Sequence, residues 1–294
     1  MLHLQRTTGG SRHGRKLVRR QLVWWQLVRR KLDERLRGGS GTPVFAMRAD
    51  RPLAEIAITR SYDAKFRDAE WDPDLRAITI LPEFLAQTNG KSQQWQAAVA
   101  LPPPTYPVTA KMIDEVLVLA VAERPEALGE IVEEDQNFQL RWLHLLNISA
   151  TSHPQTFLLM KIMARVGEFA MVALKLQYSN MAGATTPPYW YQPRPSQVCP
   201  TLYPPVQVPG HPSYPAGHAL IGTLTSECLA DLLPQYKEPL RALAARVAMN
   251  RMIAGLHYRE DIDAGARAAL ALKPFLTDCK FYLDTFALAK KEWT

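Results

Sequence analysis

Residues 211–233 read HPSYPAGHALIGTLTSECLADLL. The two halves of this stretch obey different rules. Pro212, Pro215 and Gly217 break regular structure up to His218. From Ala219 to Leu233 the text turns apolar and reads as a helix. The loop therefore ends on a helix N-terminus, where free N–H groups and the dipole favour negative charge. Gly217 lets the backbone approach an anion closely. His218, at the first turn, faces the same anion.

Outward from this stretch the chain keeps the same punctuation. Thr109 can cap a helix whose apolar positions include Met112, Ile113, Val116, Leu117 and Ala120 and which stops near Pro125. A second helix is predicted over residues 127–147, with Phe138, Trp142, Leu145 and Leu146 on one stripe. Pro154, at a first-turn position, opens a third helix that ends about Tyr178. A Pro-rich loop, residues 186–215, leads to the helix after His218. A further helix is predicted over Arg241 to Leu256, and a last one from about Asp261 past Leu272. The expected fold is all-α, a helical bundle whose long Pro-rich loops carry site residues to one end. Residues 1–41 are expected to be a basic N-terminal extension. Residues 42–108 hold the breakers Asp72-Pro73, Pro82 and Pro102-Pro103-Pro104 and are expected to be irregular and to wrap the body. Residues 109–294 are expected to form the functional helical domain.

Two further pieces join the Gly-His loop. One is Arg194-Pro195; the other is Asn250-Arg251, followed by His257 and Asp261. Two arginines, two histidines and one carboxylate suit a tetrahedral oxyanion. Arginine offers a planar fork of donors that stays charged at any working pH. A carboxylate four residues beyond His257 can reach the imidazole, fix its tautomer and stabilise the charged ring.

These pieces resemble the three-part signature of the type-2 phosphatidic acid phosphatases, bacterial class A acid phosphatases and vanadium-dependent haloperoxidases. That pattern is Lys-x6-Arg-Pro, then Pro-Ser-Gly-His, then Ser-Arg-x5-His-x3-Asp. Here Arg194-Pro195, Pro215-Ala216-Gly217-His218 and Asn250-Arg251…His257…Asp261 stand in the same order, and the resemblance covers roughly residues 150–272. The chain departs at three places. Ala216 replaces a serine, which removes one hydroxyl donor to the anion. Asn250 stands where serine is usual. Pro187 occupies the position of the lysine, and the nearest upstream lysine is Lys175. Lys175 either replaces the displaced family lysine or is a helix lysine reaching for water.

The resemblance implies two activities. In phosphoester hydrolysis His257 attacks phosphorus and forms a phosphohistidine, His218 protonates the leaving oxygen, and Asp261 orients His257. Arg194, Arg251 and the Gly217 and His218 amides hold the oxygens, with Ala216 and Lys175 candidates beside them. No cofactor is then needed. In halide oxidation by hydrogen peroxide the same pocket holds vanadate, with His257 as the axial metal ligand. A third reading, from the missing serine and lysine, is an anion-binding pseudoenzyme. Hydrolysis is favoured, because a shortage of donors argues against tight vanadate retention.

Composition bounds the rest. Hydrophobic residues make up 47% of the chain, enough for a substantial core. The net charge of +7 belongs to one end: residues 1–37 carry eleven Lys/Arg against two acidic residues. Within them Leu17, Trp24, Trp25, Val28, Leu32 and Leu36 can form one face of a basic helix over residues 15–37. Such a helix fits a membrane surface, a face of its own protein, or a sister subunit in a homo-oligomer. The small-molecule partners expected are a phosphoester, or a halide with peroxide, and no nucleic acid. Cys199, Cys228 and Cys279 do not read as a disulfide framework. No apolar run reaches the length of a membrane span. A cytoplasmic location is expected, with Arg19-Arg20 a weak hint of export.

Overall fold

The computed structural model describes residues 71–88, 90, 94–180 and 192–294. The predicted basic helix over residues 15–37, the first part of the expected wrapping segment (residues 42–70) and Pro187 lie outside them. Twelve α-helices follow among the described residues: α1 Pro73–Ile78, α2 Leu81–Ala86, α3 Trp95–Ala98, α4 Ala110–Ala122, α5 Arg124–Asn137, α6 Leu140–Leu146, α7 Pro154–Asn180, α8 Pro195–Val198, α9 Gly217–Leu232, α10 Lys237–Ile253, α11 Arg259–Thr277 and α12 Lys280–Lys290. No strand occurs among the described residues. The fold class is all-α, as the spacing predicts.

Helix α9 is the centre of the bundle. It packs on α7, α10 and α11, and Leu220, Leu224, Cys228 and Leu229 on it are fully buried. Helix α7 carries the second layer, with α1 and α12 against it. Helices α4 and α5 cover α10 from another side. None of the described helices is long and apolar enough to cross a membrane. The three cysteines are free.

Local chemistry explains several boundaries. Thr109 accepts the N–H of Met112 at 3.4 Å and starts α4. Helix α7 opens at Pro154, and its first turn is capped from far along the chain. The Glu292 carboxylate accepts the N–H groups of Gln155 at 2.7 Å and Thr156 at 2.9 Å. Helix α10 starts at Lys237 and ends at Ile253, earlier at both ends than the sequence suggests.

The predicted helix over residues 127–147 is two helices, α5 and α6, separated at Phe138 and Gln139. The break has a tertiary cause. It turns the Phe138 ring onto His218, with centroids 4.6 Å apart, and lets Gln139 donate to the Met160 carbonyl at 3.2 Å. Residues 71–108, expected to be irregular, contain three short helices. They also anchor the core: Phe84 and Trp95 are fully buried, ring centroids 5.6 Å apart. Truncating such a buried aromatic costs about 3–5 kcal/mol, so this segment is part of the body.

Candidate active site

Three loops and one helix meet where α10 ends. The turn at Ala254–Gly255 brings the chain back on itself. Gly255 has φ +81°, Gly255 N–H donates to the Met252 carbonyl at 2.9 Å, and Leu256 N–H donates to the Arg251 carbonyl at 3.0 Å. This paired closure needs a left-handed residue, which glycine adopts without strain. It sets His257 beside Arg251 rather than a turn beyond it.

Asp261 lies in the first turn of α11 and is fully buried. One of its oxygens, Oδ2, gathers three donors: the Tyr258 N–H at 2.9 Å, the Ser213 hydroxyl, and His257 Nδ1 at 3.1 Å. The Asp261 carbonyl also accepts the Ala216 N–H at 2.9 Å, tying the Gly-His loop to α11. Contact there is close: a methyl group at Gly265 would lie 2.4 Å from the Ala216 carbonyl oxygen. Burial holds the Asp261 carboxyl above the usual carboxylate range, and its hydrogen bonds from Ser213 and Tyr258 oppose only part of that rise.

Arg194 is 1% exposed and fixes the other side of His257. Its Nη1 donates to the Leu256 carbonyl at 2.9 Å and lies 3.2 Å from His257 Nε2. A guanidinium only donates, so Nε2 accepts and the ring proton sits on Nδ1, facing Asp261. Burial drives His257 well below the usual imidazole range, helped by Arg194, Lys175, Arg251 and His218. The ring is neutral at neutral pH. Burial also lowers Arg194 to about 10, which leaves it charged.

Arg251 and His218 carry the unspent groups. Arg251 Nη2 pairs with Asp135 of α5 at 3.2 Å, while its Nε and Nη1 are buried without a partner. His218 Nε2 is buried and also unpartnered. Three polar atoms left over in one buried place match the oxygens of a tetrahedral anion. Burial, then Arg251, pushes His218 well below its usual range, and the backbone carbonyl of Glu134 opposes them. Gly217 is the first residue of α9, with the side chain of Met171 against it. Ala216 is the N-cap, and its methyl packs among Val116, Ala219, Met252 and Tyr258.

Lys175 reaches the site but not as an anion donor. Its ammonium donates to the carbonyls of Pro212 at 2.6 Å, Ser213 at 2.9 Å and Pro215 at 2.7 Å. All three hydrogens are spent, so the residue clamps the loop in this arrangement. Burial and the Arg194 charge push it down.

His211, Ser213 and the α5 carboxylates also belong to the site and carry no local sequence signal. His211 accepts Arg194 Nε on its carbonyl at 3.2 Å and faces Arg194 Nη2 with Nδ1 at 3.1 Å. Asn250 donates to Glu130 at 2.9 Å and to Glu134 at 2.8 Å. Only the presence of Asn250 in place of a serine hinted at a partner there.

The model of the PAP2 superfamily matches residues 157–283. Over this segment, less than half of its length, the chain is similar to the PAP2 superfamily. All the histidines and arginines of the site fall within the PAP2 segment, whereas Glu130, Glu134 and Asp135 precede it. The chain is 31% identical over 86 residues to the non-specific acid phosphatase of Providencia stuartii, covering 27% of this chain and 35% of that protein. It is 36% identical over 53 residues to the non-specific acid phosphatase of Salmonella typhimurium, covering 18% and 21%. It thus spans about a third and about a fifth of the lengths of these two relatives. Among solved structures it is similar to the first transmembrane PAP2 type phosphatidylglycerolphosphate phosphatase from Bacillus subtilis, with TM-score 0.41, 15% identity, and coverage of 68% of this chain and 94% of that one.

Proposed function

We propose that the protein hydrolyses phosphoesters through a phosphohistidine on His257. The observation that carries this reading is the protonation pattern of that ring. Asp261 accepts the Nδ1–H hydrogen bond, so the Nε2 lone pair is the open one and faces Arg194. A phosphate entering there takes over the Arg194 N–H now 3.2 Å from Nε2 and frees the nucleophile. It also meets the two unpartnered N–H groups of Arg251.

The chemistry balances without an added group. Nε2 attacks phosphorus while the bond to the ester oxygen breaks in line. The departing oxygen takes a proton from His218. The cationic phosphohistidine is stabilised through Nδ1–H by the Asp261 carboxylate. Water then attacks phosphorus as the P–Nε2 bond breaks and its electron pair returns to His257, a proton of the water goes to His218, and inorganic phosphate leaves. Burial, together with the Arg251 charge, keeps His218 neutral before substrate enters. The phosphate brings negative charge beside it, which favours the protonated ring needed for the first step.

The test is an assay of the purified chain for aryl-phosphate hydrolysis, and separately for bromination with peroxide, each with and without orthovanadate. Hydrolysis that orthovanadate inhibits is expected. Bromination that requires vanadate would support the haloperoxidase reading instead. Neither activity would overturn both and leave an anion-binding protein.

A further inference from the structure

A cavity of about 320 Å³ lies beside His218, between the C-terminal end of α5 and the first half of α7. His218 and Phe138 form one part of its lining. Carboxyl groups line much of the rest, from Asp74, Glu134, Asp135 and Glu168, with Lys161 and Arg165 among them.

Most of these charges are already spent. Asp74 pairs with Lys161 at 3.3 Å and with Arg165 at 2.8 Å. Glu168 pairs with Arg165 at 2.6 Å, and Asp135 with Arg251 at 3.2 Å. Glu134 differs in one oxygen: it is fully buried, its Oε1 accepts from Asn250 and lies 3.9 Å from Arg141 Nε, and its Oε2 has no partner. The lining thus offers three buried polar atoms without a hydrogen-bond partner, His218 Nε2, Glu134 Oε2 and Arg165 Nε, the last on a guanidinium already paired with Asp74 and Glu168. It offers no cation that is not already neutralised by a carboxylate.

We propose that this cavity receives the leaving alcohol and that Glu134 Oε2 reads a hydrogen-bond donor on it, so that the preferred substrate is a phosphomonoester of a polyol or amino alcohol and not one bearing a second anionic group. The inference rests on the hydrolase reading, which makes His218 the proton donor to the leaving oxygen. A leaving alcohol whose ester oxygen accepts the proton from His218 and which also carries a hydroxyl or ammonium group satisfies both His218 Nε2 and Glu134 Oε2 at once. A buried acceptor left unmatched is what gives a site discrimination against an analogue lacking the donor. A carboxylate or second phosphate would instead meet Glu134 as a like charge, with Lys161 and Arg165 already engaged. Burial holds Glu134 up to about 7, so at about pH 8 it is mostly ionised and accepts.

The experiment compares kcat/KM at about pH 8 for glycerol phosphate, phosphoethanolamine, n-propyl phosphate and 3-phosphoglycerate. Glycerol phosphate and phosphoethanolamine are expected to exceed n-propyl phosphate by at least about tenfold, and 3-phosphoglycerate to fall below it. Glu134→Gln turns the acceptor into an amide that can donate. It should collapse the advantage of the donor-bearing esters relative to n-propyl phosphate within the same variant. Glu168→Lys, on the rim, should raise 3-phosphoglycerate several-fold relative to n-propyl phosphate, and serves if the first variant fails to fold. Equal values for all four esters in the wild-type protein would overturn the leaving-group assignment while keeping the hydrolase. No turnover of any ester would overturn the hydrolase reading, and this inference with it.

Discussion

Asp261 Oδ2 stands 3.1 Å from His257 Nδ1, in a fully buried pairing that leaves Nε2 as the open nitrogen. Asp261→Asn keeps the size but removes the charge, and its amide can present a donor where an acceptor is required. Turnover of an aryl phosphate is expected to fall by at least about 10², roughly 2.7 kcal/mol of transition-state stabilisation. KM should change much less, because Arg194 and Arg251 remain. Steady-state kinetics decide it: activity within threefold of wild type would remove Asp261 from the orienting role.

Ser213 works one step further back. Its hydroxyl donates to the same Asp261 oxygen and holds that carboxyl down against burial. Ser213→Ala therefore raises the Asp261 pKa. The active form needs the carboxylate, so the acid limb of kcat/KM should move to higher pH, with a several-fold loss at neutral pH. An acid limb that stays in place, in a variant of normal melting temperature, would contradict this.

Lys175 is expected to matter for stability before affinity. Lys175→Met leaves three carbonyls, of Pro212, Ser213 and Pro215, without their donor. Hydrogen bonds to a charged group contribute about 1.5–3 kcal/mol each, though not additively. A loss of at least about 3 kcal/mol is expected, or roughly 10 °C in Tm for a domain of this size. Calorimetry with inorganic phosphate supplies the contrary outcome. An unchanged Tm with lost phosphate binding would mean the ammonium swings onto the anion.

Glu134 gives a stability effect of definite sign. Its folded-state pKa is raised to about 7, by burial first. In the unfolded chain it ionises near the ordinary carboxylate value, about 4.3. Ionising it in the fold therefore opposes stability, fully above about pH 7 and not at all below about pH 4. Glu134→Gln removes that cost. Relative to wild type the variant should gain on the order of 2 kcal/mol between about pH 5 and pH 8. Denaturant titrations at the two pH values check it, and a gain independent of pH would refute the assignment.

How much of this was readable beforehand differs by residue. Arg194, His218, Arg251, His257 and Asp261 stand at spacings tied to local structure, a helix start and a helix end, and the fold does bring them together. The helices after Thr109 and Pro154 follow from capping and first-turn chemistry. The break at Phe138 was not legible, because Phe138 leaves the helix to reach His218, a contact invisible to local periodicity. Nor could the sequence say where the Lys175 ammonium points; a helix lysine looks the same whether it faces water, an anion or three carbonyls. Asn250 with Glu130 and Glu134, and Arg251 with Asp135, are pairings across 116 residues of chain or more, and nothing local marks them.

Those pairings bear on where the protein can be cut or exchanged. A shortened chain beginning at residue 157, the start of the matched segment, would keep every arginine and histidine of the site. It would also bury Arg251 and Asn250 with their counter-groups gone, since Glu130, Glu134 and Asp135 sit on α5. An uncompensated buried charge is among the costliest defects a fold can carry. For chimeras with relatives, or for a minimal expressed fragment, the working boundary therefore lies upstream of Arg124, and helix α5 must travel with the segment it serves.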